Sequence, residues 1–145
     1  MYKRIMALLC SFTLLGSFAV AEYANAAVIQ PVSPAYSYTY SCSSDLYTSG
    51  STITCESTLF GYSGTTTKIE VFQTLQMLNS YGTWNDMCHW RDTSYTFNAS
   101  VTNNRYSSAN GTYRLRTIFT VYSGTNYETI TKYSNNKTLQ IPNND

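Results

Sequence analysis

Residues Trp84-Asn85-Asp86-Met87-Cys88-His89-Trp90 hold the one histidine of the chain, beside a cysteine and between its two tryptophans. A thiol and an imidazole can act as nucleophile and base, provided the base reaches the sulfur and a third group orients it. An extended strand defeats that arrangement, because successive side chains point to opposite faces. If the run is regular, Trp84, Cys88 and Trp90 share one side as packing residues, and His89 faces the other. A zinc site would need about four converging nitrogen, sulfur or oxygen ligands at short paired spacings, and none occurs. Asp86 and Asp92 lack the compact acidic loop that calcium requires. Paired carboxylates drawn from distant strands could hydrolyse glycosides. With so few acids, however, Glu56, Glu70, Asp86 and Asp92 read better as solvated strand and turn residues. No glycine-rich phosphate loop or serine elbow is present. No catalytic residue, metal or cofactor is therefore assigned, and the chain is not expected to be an enzyme.

The cysteines point first to architecture. Cys10 lies in an apolar N-terminal run, which leaves Cys42, Cys55 and Cys88. An odd count in an exported chain leaves one thiol over. Cys42 and Cys55 fall on one expected hairpin, where a bridge could stabilise the fold by about 3 kcal/mol if unstrained. Cys88 is then the free thiol. Pairing of Cys55 with Cys88, or no bridge with Cys55 as a small core residue, are the alternatives.

The elements that must position these residues begin after an export signal. Lys3 and Arg4 precede an apolar stretch from Ile5 to Val20, and Ala24-Asn25-Ala26 fits a small-x-small cleavage site. Removing Lys3, Arg4 and Glu22 from nine basic and eight acidic residues leaves the two signs equal. A neutral chain without a basic cluster argues against nucleic acid as partner. No membrane anchor is expected after cleavage, so the product is secreted and extracellular. Fourteen tyrosines and many serines and threonines suit strands rather than helices.

Alternation with turn punctuation recurs along the rest of the chain. Strands are expected over 42–48, 51–60, 68–78, 84–90, 95–101, 113–121 and 127–133, with a loop over 103–111. Core faces are expected to carry Ile53, Cys55, Ser57 and Leu59; Ile69, Val71, Leu75 and Met77, with Gln73 interrupting; Tyr95, Phe97, Ala99 and Val101; and Tyr113, Leu115, Thr117, Phe119 and Val121. About seven strands at this spacing make an all-β, antiparallel two-sheet sandwich. A closed barrel satisfies the same alternation. Tyr113, just after Asn110-Gly111, stands where a sandwich places a corner tyrosine, or where any strand starts with a core aromatic. Phe72, Leu78, Ile118 and Tyr122 fall opposite the core faces, beside Arg114 and Arg116. An open face of that composition marks a binding surface. Residues 35–40 could instead cover it.

The stretches TCESTLFGYSGTTTKIEVFQTLQ (54–76) and GTYRLRTIFTVYSGTNYETITKYS (111–134), with Trp84 and Trp90 between them, resemble a family of small secreted immunoglobulin-like proteins of Gram-positive bacteria, a domain-of-unknown-function family. The similarity spans roughly residues 46–134 and is densest in the C-terminal hairpin; Cys42, Cys88 and His89 lie outside it. It implies an immunoglobulin-like sandwich, a bacterial source and secretion, and no activity. The expected organisation is a signal peptide (1–26), a polar leader or extra edge strand (27–41), the sandwich (42–134) and a C-terminal tail (135–145). The expected function is extracellular binding of a protein or glycan at a cell surface. The alternative is a structural or self-associating envelope protein, linked through the odd thiol.

Overall fold

The computed structural model describes residues 36–141; the expected signal peptide and the start of the leader lie outside them. Eight strands follow in order: β1 (Thr39–Ser49), β2 (Thr52–Gly61), β3 (Lys68–Leu78), β4 (Trp84–Ser94), β5 (Asn98–Tyr106), β6 (Gly111–Ser123), β7 (Asn126–Tyr133) and β8 (Lys137–Leu139). Period-two alternation is visible in burial: β2 and β6 bury every second residue along nearly their whole length. Gly50, Gly64, Gly82 and Gly124 take positive φ in the intervening turns. That region is strained for any residue with a Cβ, which is why glycine punctuates there.

All pairings are antiparallel. β1-β2-β5 form one sheet and β4-β3-β6-β7 the other, with β8 added to β6. The chain therefore crosses between sheets after β2, β4 and β5, as an immunoglobulin-like sandwich does. Its fourth strand joins the larger sheet, at the edge beside β3. Tyr113 is the corner tyrosine: its ring is 1% exposed. Its hydroxyl donates to the Ala109 carbonyl at 2.9 Å and lies 2.9 Å from the Ser107 hydroxyl.

The core has two apolar parts. One comprises Leu59, Ile69, Val71, Ala99, Val101, Phe119, Val121 and Ile130. The other comprises Leu46, Ile53, Cys55, Leu75, Tyr113, Leu115 and Leu139. A layer of hydrogen-bonded polar side chains lies on the same inward faces. Gln73 donates through Nε2 to Ser57 Oγ (2.7 Å) and accepts at Oε1 from Asn103 Nδ2 (2.8 Å). Thr117 Oγ1 bonds both Ser57 Oγ (2.7 Å) and Ser44 Oγ (2.8 Å). Gln73 and Thr117 are fully buried, so the interruption in the β3 pattern is a core residue that links the two sheets. Burial of such groups is tolerable because each has a partner.

Several sequence expectations are corrected. The leader already pairs from Thr39, and the tail contributes β8. Tyr36 and Tyr38 pack against the first apolar cluster, where Glu128 of β7 accepts from the Ser37 and Tyr38 amides (2.8 and 3.0 Å), so these residues belong to the core margin. The fifth strand begins at Asn98 and takes in the first four residues of the expected loop, ending at Tyr106, so that only 107–110 remain a connection. Tyr95 and Phe97 accordingly belong to the β4–β5 connection and are exposed. The expected Cys42–Cys55 bridge does not form: Cys42 opposes Leu59, while Cys55 opposes Leu46. The two cysteines are thus four residues apart along the ladder, about 13 Å, well beyond the ~4.4–6.8 Å a disulfide spans.

Candidate functional site

The face of the larger sheet that points away from the core brings aromatic and cationic side chains together: Phe72, Trp84, Tyr122, Tyr127 and Tyr133 with Lys68, Arg91, Arg114 and Arg116. Register builds it. Across β3 and β6, Phe72 opposes Ile118, Thr74 opposes Arg116, and Gln76 opposes Arg114. On the other flank Phe72 opposes Arg91, Thr74 opposes His89, Gln76 opposes Asp86, and Leu78 opposes Trp84. β7 adds Tyr133 opposite Arg116 and Tyr127 opposite Tyr122. The six expected binding residues, Phe72, Leu78, Arg114, Arg116, Ile118 and Tyr122, are all on this face and all half-buried.

Trp84 reaches that face because β4 is not regular. Leu75 pairs with Cys88 and the next residue, Gln76, with Asp86, so Met87 is an extra residue in the ladder. Such a bulge resets the alternation on one side of itself. Cys88 and Trp90 point inward and pack against the second apolar cluster. Trp84 points outward with His89, which overturns the expectation that both tryptophans share a side with Cys88. His89 faces away from Cys88, as strand parity required.

Three groups of side chains occupy the outer face. At one end the Arg114 guanidinium lies 4.2 Å from the Trp84 ring centroid and 4.5 Å from that of Tyr133. Its Nε donates to Gln76 Oε1 (2.8 Å), Gln76 Nε2 donates to Asp86 Oδ1 (2.6 Å), and Arg116 Nη2 pairs with Asp86 Oδ2 at 3.3 Å. In the middle the Arg91 guanidinium covers Phe72 at 4.3 Å, with the His89 ring 5.8 Å from Phe72. A shallow hollow lies there, lined by Glu70, Phe72, Arg91, Thr93, Ile118 and Thr120. At the far end Lys68 Nζ sits 3.7 Å over the Tyr122 ring, which is 5.7 Å from Tyr127. Lys68 also donates to Glu70 (2.9 Å). That hydrogen bond holds the Glu70 carboxyl below the ordinary carboxylate range, with the Tyr122 hydroxyl (3.1 Å) adding to it.

Pairing within the face leaves it unevenly charged. Lys68 is matched by Glu70 and Arg116 by Asp86. The guanidiniums of Arg91 and Arg114 are backed by aromatic rings instead of carboxylates. Cation–π contacts of this kind contribute about 0.5–1 kcal/mol where exposed, and apart from the Arg114 Nε bond to Gln76 neither guanidinium donates a hydrogen bond among the described residues. Beneath them, Thr74 Oγ1 and Arg116 Nε are buried without a partner among the described residues. The middle of the face therefore carries a local cost of the kind that buried unsatisfied groups impose.

The thiols offer little nucleophilic chemistry. Burial pushes Cys55 up to about 12, with the neighbouring Cys88 adding to the shift. Burial also raises Cys88 and Cys42, opposed by Arg105 and by Lys132 respectively. At neutral pH all three are overwhelmingly thiols, and the thiolate is the reactive form. Among the described residues no group of three or more His, Cys, Asp or Glu converges as a metal site would require.

Sequence reasoning placed residues of β3 and β6 in all three groups and missed those that β4 and β7 bring. Glu70, Thr74 and Gln76 share the parity of Phe72, and that signal was readable. Trp84 was not, since its orientation depends on the bulge. Comparison of the chain with protein-family models, curated proteins and solved structures finds no match.

Proposed function

We propose that the protein is an extracellular binding module whose ligand is a glycan at a cell surface, held on the outer face of the larger sheet. The observation that carries this reading is the set of three aromatic–cation groups on one sheet face, with Trp84, Arg114 and Tyr133 the densest. A sugar ring has apolar C–H faces and a polar rim. It stacks on an aromatic ring while planar amides, carboxylates and guanidiniums bond its hydroxyls. Gln76, Asp86 and Arg116 stand beside Trp84 and Arg114 in that role. A protein partner is the second fit, but the apolar area of Phe72 and Ile118 is flanked by Glu70, Arg91 and Arg116, whereas the centre of a protein interface is depleted in charge. The N-terminal export pattern supports a location outside the cell.

Glycan arrays and affinity electrophoresis on soluble polysaccharides test the reading. Trp84→Ala and Arg114→Ala should each weaken retention at least about tenfold, the loss of one good contact of ~1.4 kcal/mol. Tyr47→Ala, on the outer face of the smaller sheet, should leave it unchanged. Binding to surface proteins with silence on all glycans would overturn the proposal.

A further inference from the structure

β4 ends the strand order of the larger sheet, so among the described residues its side away from β3 pairs with no strand. It is 11 residues long, with Asn85, Asp86, Met87, His89, Arg91, Asp92 and Thr93 exposed. Unpaired edges of this length invite another chain, and proteins usually block them with charge or bulges. The charges on β4 have a particular arrangement, however. Asp86 and Arg91 are both on the outer face, on either side of His89, and the Met87 bulge sets them at equal ladder distances from it.

We propose that β4 pairs antiparallel with β4 of a second copy, about a two-fold axis through His89, joining two larger sheets into one continuous sheet. Counting ladder positions outward from His89, and passing over Met87, Cys88 meets Trp90 on the inner face. Asp86 then meets Arg91 of the second copy on the outer face, and the symmetry repeats this pair. Asn85 meets Asp92, and Trp84 meets Thr93. Moving the axis by one residue loses the match. Through Cys88, Arg91 meets Trp84 and Asp86 meets His89; through Trp90, Arg91 meets His89 and Asp86 meets Thr93. Opposite charges directly across a ladder stabilise it and like charges oppose it, so charge selects the His89 axis. An isologous contact of this kind closes at two copies. It places the Phe72–Arg91–His89 groups of both copies side by side on one face. This inference is independent of the glycan reading, since its test contains no ligand.

Sedimentation velocity of the purified chain should show a reversible dimer at concentrations up to about 1 mM, the weak end of useful affinity. Arg91→Asp gives two acids facing two acids across the axis, and Asp86→Lys gives two bases facing two bases. Each variant alone should sediment as a monomer. Mixed in equal amounts they should form a heterodimer, because every pair across the axis is again of opposite sign. Recovery on mixing also shows that both variants are folded. In a Cys42→Ser/Cys88→Ser background, His89→Cys should cross-link to itself with oxidised glutathione, since directly opposed antiparallel residues lie ~4.5–5.5 Å apart. A monomer at every concentration overturns the proposal. So does a dimer that survives both charge reversals, or a failure of the two variants to recombine and of His89→Cys to cross-link.

Discussion

Replacing Thr117 by valine removes one hydroxyl from the centre of the sandwich and changes the side chain's shape very little. In the native structure that oxygen bonds Ser44 Oγ at 2.8 Å and Ser57 Oγ at 2.7 Å, and Thr117 is 0% exposed. After the substitution Ser57 still accepts from Gln73 Nε2, whereas Ser44, itself buried, loses the only side-chain partner it has among the described residues. Two hydrogen bonds at about 1 kcal/mol each, plus a buried hydroxyl left unsatisfied at about 1–3 kcal/mol, overlap in part. The expected loss is therefore about 2–4 kcal/mol. At about 4 °C per kcal/mol for a domain of this size, Tm should fall by roughly 8–16 °C. Urea unfolding followed by tryptophan fluorescence should show a lower midpoint with an unchanged m-value. The contrast with Ser44→Ala/Thr117→Val is the sharper measurement. Removing both partners leaves no stranded hydroxyl at Ser44, so the double variant should be more stable than the sum of the single losses by about 1 kcal/mol. A cost below about 0.5 kcal/mol for Thr117→Val, or strict additivity in the double variant, would refute the view that these bonds link the two sheets.

Because the Met87 bulge sends the tryptophans to opposite faces, Trp90→Ala should cost about 2 kcal/mol or more by emptying a half-buried position over the second apolar cluster. Trp84→Ala should cost under about 1 kcal/mol, the scale of an exposed cation–π contact, and equal losses in thermal melts would count against the bulge. Iodoacetamide at mildly alkaline pH should label half-buried Cys88 and Cys42 in the folded chain, and Cys55 only after unfolding; a linked Cys42–Cys55 peptide on non-reducing mapping would contradict the register. Glu70 should titrate below the ordinary carboxylate range by carboxyl-detected NMR, and Lys68→Met should move it upward. The sign follows from that depression: the Lys68–Glu70 link contributes above the ordinary carboxylate pKa and is lost as pH falls through the lowered one, so an upward-shifted native midpoint would exclude it.

Most of the sheet architecture was legible in the chain because strand side chains alternate with an invariant period. Ile53, Cys55, Ser57 and Leu59 could be assigned one face from local order alone, and so could Ile69, Val71 and Leu75. The outer face of the larger sheet followed as its complement, which is why Phe72, Ile118 and Tyr122 were found together with Arg114 and Arg116. Gln73 and Thr117 stood at inward positions too, but their role needed the second sheet: a buried amide is tolerable only when Ser57 and Asn103 arrive to bond it.

Parity carries no information about which residue of one strand stands opposite which residue of another. The β1–β2 register is set by the turn and by packing, so Cys42 and Cys55 could share a face and still lie four ladder positions apart. The bulge at Met87 is likewise a property of the β3–β4 pair. Alternation within β4 alone places Trp84 beside Trp90, and only pairing with Gln76 and Leu78 turns Trp84 outward to Arg114. Local chemistry thus determined which side chains are inward or outward within each regular run. Long-range hydrogen-bond register decided which of them meet, because that choice is made between strands and is not written in either one.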